Sequence, residues 1–255
     1  MTVIVGLVCK DGLVIASDSQ ESDNNAGLKR LDVKKVYDTT NFVLSGGDIE
    51  LVVAGTGSSA YISRVAELVD ENVFAPRFSM PRQVADVVED ALGKMKDRYG
   101  ADLDLEVLVG VYCKDSPKHG DEEKELPSPI GLYSISAPEK RERVGVAEAI
   151  QDYSAMGSGG LFAHYLLNRL HDDENPLSEL TMEAAVNEAI WVVSEVVKVD
   201  LWCGGDIQVA CIRKAGDGYT LERKRSADIR KCAIDLADTD IKIKRSHRRM
   251  FLGGA

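Results

Sequence analysis

The sequence has no CxxC and no HxxxH pair, and its five cysteines (Cys9, Cys113, Cys203, Cys211, Cys232) are scattered and odd in number. Neither a disulfide framework nor a zinc site is expected from such spacing. The four histidines are also scattered, and His164 within its apolar stretch reads as a packed helix residue. No apolar run approaches the ~20 residues of a membrane span. The start has no basic region ahead of its apolar stretch and is interrupted early by Asp11, so a signal peptide is not expected. There is no excess of positive charge: 31 Lys and Arg stand against 42 Asp and Glu, a net charge of -11. Nucleic acid is therefore a poor partner, because phosphate backbones reward clustered cations. No interdomain linker and no internal repeat interrupts the chain. Together these absences predict a cytoplasmic protein with no membrane contact and no cofactor or metal.

What is present is an ordinary folded composition, 44% hydrophobic and 29% charged over 255 residues. Residues 2–9 and 12–17 are apolar and β-branched, and the Asp11-Gly12 pair between them signals a tight hairpin. Further strands are expected at 33–37, 41–45, 50–54, 105–113, 130–136, 152–156, 206–213 and 219–223. Apolar spacing of i, i+3, i+4, i+7 predicts a helix over 58–71 capped by Ser58 or Ser59. A second begins at Pro81, a third covers 160–171, and a fourth covers 181–199 with Thr181 as its N-cap. The polar stretch 114–129 reads as a surface loop. The basic end of the chain, KIKRSHRR, reads as a solvated arm.

Strands, two helices, strands, two helices and strands do not make the alternation of a parallel sheet. The order predicts an α+β fold: a four-layer αββα sandwich of two antiparallel sheets, each covered by a helix pair. Sheets buried on both faces also explain why the strands are almost wholly apolar.

Thr2 follows Met1 directly and leads straight into a strand. Removal of Met1 would leave its α-amine beside its own hydroxyl. That amine has an unperturbed pKa of ~7.7–8.0, so it can accept a proton near neutrality. A hydroxyl with a base in reach is an activated nucleophile. By itself, Thr2 reads more readily as only the first residue of a strand.

Five blocks, in order, add to that reading: TVIVGLVCKDGLVIASD, DVKKVY, VVAGTGSSAYISRV, YSAMGSGGLFAHYLL and VDLWCGGDIQVACI. Through them the chain resembles the β-type subunits of the 20S proteasome over about residues 2–223. More distantly it resembles the bacterial heat-shock protease that shares the N-terminal nucleophile hydrolase fold. The resemblance implies one such domain over 1–223, with 224–255 as a C-terminal extension; only Met1 precedes Thr2, so no propeptide is expected, unlike many proteasome β subunits. It further implies Thr2 as nucleophile, with Asp18 and Lys35 beside it. Lys34 fits the spacing without a gap, whereas Lys35 requires one inserted residue within 19–32 and aligns the whole KKVY block. Gly55 would donate its N–H to the oxyanion, and Ser158 and Asp200 would support the threonine amine. Cys203 stands where the family commonly has serine, and a thiol is the weaker hydrogen-bonding group. Glu21, Val33, Val53 and Gly57 would lie near the pocket for the residue before the cut, where Glu21 either favours basic side chains or faces solvent.

The implied activity is a threonine-type peptidase in a homo-oligomeric ring, acting on peptides or unfolded protein, with an ATPase unfoldase as a partner for folded substrates. Two rivals use the same residues differently: a non-catalytic ring or scaffold subunit, and an amidase or transpeptidase working through the same acyl-enzyme.

Overall fold

A computed structural model describes residues 2–23, 28–38, 49–73, 78–100, 104–114, 128–137, 144–171 and 175–251. The expected strand 41–45, most of the loop 114–129 and the last four residues lie outside them.

The first hairpin joins β1 (Ile4–Cys9) to β2 (Gly12–Ser17). Cys9 pairs with Gly12, so the two-residue turn falls on Lys10 and Asp11, and the glycine belongs to the strand. The expected second strand, 12–17, is the observed one. Gly12 has φ +144, and a Cβ there would lie 1.9 Å from the Ile212 carbonyl oxygen. The glycine therefore admits the neighbouring strand β11 (Gln208–Ala215), which pairs with β2. With β10 (Tyr153–Met156) and β12 (Gly218–Arg223), these strands form a sheet of order β10-β1-β2-β11-β12.

The second sheet has the order β5-β6-β7-β8-β9, from β5 (Val36–Asp38), β6 (Ile49–Gly55), β7 (Leu105–Cys113), β8 (Ile130–Ala137) and β9 (Glu148–Ile150). Every described pairing in both sheets is antiparallel. A small hairpin of β3 (Glu21–Asp23) and β4 (Leu28–Arg30) stands apart. Strands this short carry too little pattern to be read from sequence, and β3, β4 and β9 were not expected.

Alternation of side chains across the strands makes three apolar layers. Ile4, Leu13, Ile15, Val52, Leu108 and Ile212 pack between the sheets. Val3, Val5, Leu7, Val14 and Ala16 face the other way, toward α3 (Gly160–Leu170) and α4 (Met182–Val199). Leu51, Val53, Val107 and Val109 face α1 (Ser59–Val73) and α2 (Pro81–Tyr99). Each fully buried aliphatic side chain stabilises the fold by about 1.5–3 kcal/mol. The four-layer αββα sandwich is thus the observed architecture.

The helices start where the residues dictate. Pro81 occupies the first turn of α2, where its missing N–H costs nothing. Thr181 Oγ1 accepts from the Ala184 N–H at 3.4 Å and caps α4. At α1 the Ser58 carbonyl accepts from the Ile62 N–H at 3.1 Å, and a distant side chain adds to the cap. The Glu21 carboxylate accepts from the Ser59 N–H at 2.9 Å, across 38 residues of sequence. A fifth helix, α5 (Ser226–Phe251), continues beyond the last strand. Ile229 is buried, and Cys232, Ala233 and Leu236 pack beside it against the α4 layer, so this face carries three helices instead of two. Much of the expected basic arm is therefore helical backbone; side chains from residue 243 onward lie outside the described set. No helix among the described residues is long and apolar enough to cross a membrane.

Candidate active site

Thr2 enters at the head of β1 and is 1% exposed. The neighbouring strand β2 ends at Ser17 and delivers Asp18, fully buried, to its side. Asp18 is held by four donors. Its Oδ1 accepts from the Val3 N–H at 3.1 Å and the Lys35 ammonium at 2.8 Å. Its Oδ2 accepts from the Gly204 N–H at 2.9 Å and the Gln20 N–H at 3.3 Å. A carboxylate so surrounded is fixed in place.

Lys35, also buried, comes from the segment leading into β5 in the other sheet. Its Nζ donates to Thr2 Oγ1 and to the Gln20 carbonyl, as well as to Asp18. Lys35, not Lys34, reaches the threonine; the Lys34 ammonium lies 4.6 Å from the centre of the Tyr37 ring. Burial lowers the Lys35 pKa from the ordinary lysine value, and the Asp18 charge opposes that shift. The ion pair thus sits in a dry environment where each charge acts strongly on its neighbours.

The other side of Thr2 is built by the turn after β10 and the end of α4. Gly157 has φ +82, and a Cβ there would lie 2.2 Å from the Thr2 carbonyl oxygen, so only glycine brings this turn so close. The Thr2 N–H donates to Ser158 Oγ at 3.3 Å, and Ser158 Oγ donates to Asp200 Oδ2 at 3.1 Å. Asp200 caps the C-terminus of α4. Its Oδ2 also accepts from the Cys203 thiol at 3.2 Å, while that sulfur lies 3.9 Å from Ser158 Oγ. Burial, aided by the Asp18 charge, pushes the Cys203 thiol up to about 12, so it is a neutral donor and not a thiolate.

The remaining sequence candidates fall around this centre in different ways. Gly55 ends β6, and its N–H is directed at the Lys35 carbonyl at 3.3 Å, longer than the usual range for such a bond. Val33 is buried, and its N–H donates to the Ser19 carbonyl at 2.9 Å. Val53 is fully buried and packs in the apolar layer beneath α1 and α2. Gly57 is exposed at the entry to α1. The Glu21 carboxylate is turned to the start of α1 and to Arg30, 3.4 Å away.

Sequence reasoning missed several backbone contributors, among them the Gln20 carbonyl and the Gly204 N–H. It also missed Glu106, whose carboxylate accepts from the Gly157 N–H at 3.1 Å. Backbone groups have no residue-type signature, so no motif could have marked them. Among the described residues, no cluster of histidines, cysteines and carboxylates could hold a metal ion.

The two-sheet αββα sandwich is the N-terminal nucleophile hydrolase fold that the resemblance implied. Comparison with solved structures shows that fold. An Anbu (ancestral beta-subunit) from Yersinia bercovieri superposes with a TM-score of 0.68 at 13% identity, over 95% of this chain and 96% of that one. An Anbu mutant from Hyphomicrobium sp. strain MC1 gives 0.68 at 17% identity, over 96% and 97%. The helical assembly of the Anbu complex from Pseudomonas aeruginosa gives 0.62 at 18% identity, over 94% and 96%.

Curated proteins of similar sequence are proteasome beta subunits. The proteasome subunit beta of Nanoarchaeum equitans is 26% identical over 221 residues, covering 85% of this chain and 95% of that protein. The proteasome subunit beta 1 of Thermococcus kodakarensis is 27% identical over 217 residues, covering 84% and 90%. No family model matches the chain. These similarities support proteasome-like relatives and do not single out the heat-shock protease.

Proposed function

We propose that the chain, once Met1 is removed, is a threonine-type peptidase subunit of a proteasome-like assembly. The observation that carries the reading is the Lys35 ammonium, placed against both Thr2 Oγ1 and Asp18 Oδ1. Thr2 Oγ1 attacks the peptide carbonyl and its proton passes to the free Thr2 amine, with Ser158 at hydrogen-bond reach of that nitrogen. The Lys35 charge lowers the cost of the developing alkoxide and keeps the amine neutral. The oxyanion takes the Gly55 N–H; a charged acceptor competes well against the long bond to Lys35 oxygen. The carbon–nitrogen bond then breaks, and the leaving amine carries away the proton. Water attacks the resulting ester, releases the acid and restores Thr2.

The assembly part of the reading is supported by a large apolar surface. Leu161 and Leu201 are each 80% exposed, and Phe162, Tyr165, Val199 and Trp202 are exposed with them on α3 and the end of α4. Such surfaces mark protein contacts. Here the contact would be a further copy of the chain.

The test is the intact mass of the purified protein, with and without a peptidyl epoxyketone that needs both the hydroxyl and the free amine. Loss of one methionine with one adduct per chain is the expected result. Retention of Met1 with no adduct would favour the scaffold reading. If the adduct forms, product analysis with an added amine separates hydrolysis, which gives free acid alone, from transpeptidation, which gives a new amide.

A further inference from the structure

Lys35 must be held at a fixed height between two sheets, yet it lies just before β5, an edge strand whose described partner is β6 alone. The outer side of that edge is closed by a side chain. Gln208, the first residue of β11 in the opposite sheet, reaches across the sandwich. Its Oε1 accepts from the Lys35 N–H at 3.0 Å and from the Val36 N–H at 3.2 Å. Its Nε2 donates to the Val33 carbonyl at 2.6 Å. Two donors on one side and one acceptor on the other admit a single orientation of the amide. An amide side chain carries one carbonyl and one N–H group, as a peptide unit does, so Gln208 alone ties three backbone groups between Val33 and Val36.

Its starting point matters as much as its reach. Gln208 pairs with Ser17 across the β2–β11 ladder, one residue from Asp18. The backbone on both sides of the lysine is therefore referenced to the same sheet that carries Thr2 and Asp18. Asp18 fixes only the tip of the lysine; the root needs a separate tether. An Nζ displaced by ~1 Å would lose much of its effect on Oγ1, and misplacements of that size cost about 100-fold in rate.

We propose that Gln208 is the positioning residue of this site, clamping the Lys35 backbone from the opposite sheet so that the ammonium meets Thr2 and Asp18 together. The proposal rests on the peptidase reading for its effect on rate, but its geometry can be tested apart from that.

Three variants decide it. Gln208→Met fills similar space without either polar group, Gln208→Asn keeps the amide but is one methylene too short, and Gln208→Glu retains the acceptor for both N–H groups. The readouts are kcat and KM on a fluorogenic peptide, the alkaline limb of the pH profile, amide exchange at Lys35 and Val36, and the ¹⁵N titration of Lys35 Nζ. For the Met and Asn variants kcat is expected to fall about 10–100-fold with KM within about twofold. The Lys35 and Val36 amides should exchange faster, and the Lys35 titration should move up toward the ordinary lysine value as the root loosens and water enters. Gln208→Glu should keep part of the Lys35 and Val36 amide protection while losing the bond to the Val33 carbonyl, and should recover only part of the rate. A folded Met or Asn variant with unchanged amide exchange and unchanged Lys35 titration overturns the proposal, whatever the activity. If the parent protein lacks Met1 yet shows neither turnover nor adduct, the peptidase reading fails, and exchange and titration still judge the clamp.

Discussion

On one side of Thr2, Asp18 and Lys35 are at most 2% exposed, and the carboxylate receives four donors from three separate segments. On the other side, Ser158 is exposed and the links from Thr2 N to Ser158, Asp200 and Cys203 run at 3.1–3.9 Å. The difference follows from the work each side does. The lysine acts by charge, and a charge acts most strongly when water is excluded and its position is fixed in advance. In the proposed reaction the serine side handles a proton, a task that does not need water excluded to the same degree. Preorganisation is concentrated where it has electrostatic effect.

The comparison breaks most severely at the lysine. Lys35→Met should lower kcat by about 1000-fold or more, since it removes the charge next to the nucleophile and leaves Asp18 as an unpaired buried charge. Single-turnover epoxyketone labelling, with a melting curve as control for folding, would check this. Ser158→Ala should cost less, about 10–100-fold in kcat, because the amine remains and water can reach it. A loss as large as that of the lysine variant would mean that the two sides are equally critical.

The pH profile separates the sides by sign. Activity should rise as the Thr2 amine loses its proton and fall as Lys35 loses its own. Because burial lowers the Lys35 value, the alkaline limb should lie below the ordinary 10.5. The same shift has a consequence for stability. The unfolded chain holds that proton more tightly, so the fold gains stability as pH rises from the lowered value toward 10.5. Denaturant midpoints across that range would show the trend reversed in sign if Lys35 were instead held above its usual value.

At the rim the effects are smaller. Glu21→Gln should lower stability by about 1 kcal/mol through a weakened cap on α1. Its exposed pairing with Arg30 should add little. Cys203→Ser should change kcat by no more than about threefold, since either group can donate to Asp200. With its thiol at about 12, Cys203 should resist iodoacetamide at pH 8, and activity should survive that treatment. Rapid inactivation traced to Cys203 would point to a reactive thiol.

Much of the fold is legible because sheets buried on both faces leave continuous apolar runs, and the four covering helices show clear 3.6-residue periodicity. The fifth helix had a signal too. Ile229, Cys232, Ala233 and Leu236 follow the helical spacing, but the dense charge around them hides it. The hairpin β3–β4 had none, at three residues per strand.

The sequence alone determined the order of the long strands and the four covering helices, because local periodicity is written along the chain, and its resemblance to proteasome β subunits marked Thr2 as a nucleophile candidate. Tertiary structure decided the rest. It turned Glu21 to the start of α1 and brought the Gly204 N–H to Asp18. It also set Gln208 beside the lysine from 173 residues away. These contacts depend on the direction in which a backbone or side chain emerges from a folded sheet, and spacing along the chain does not encode that direction.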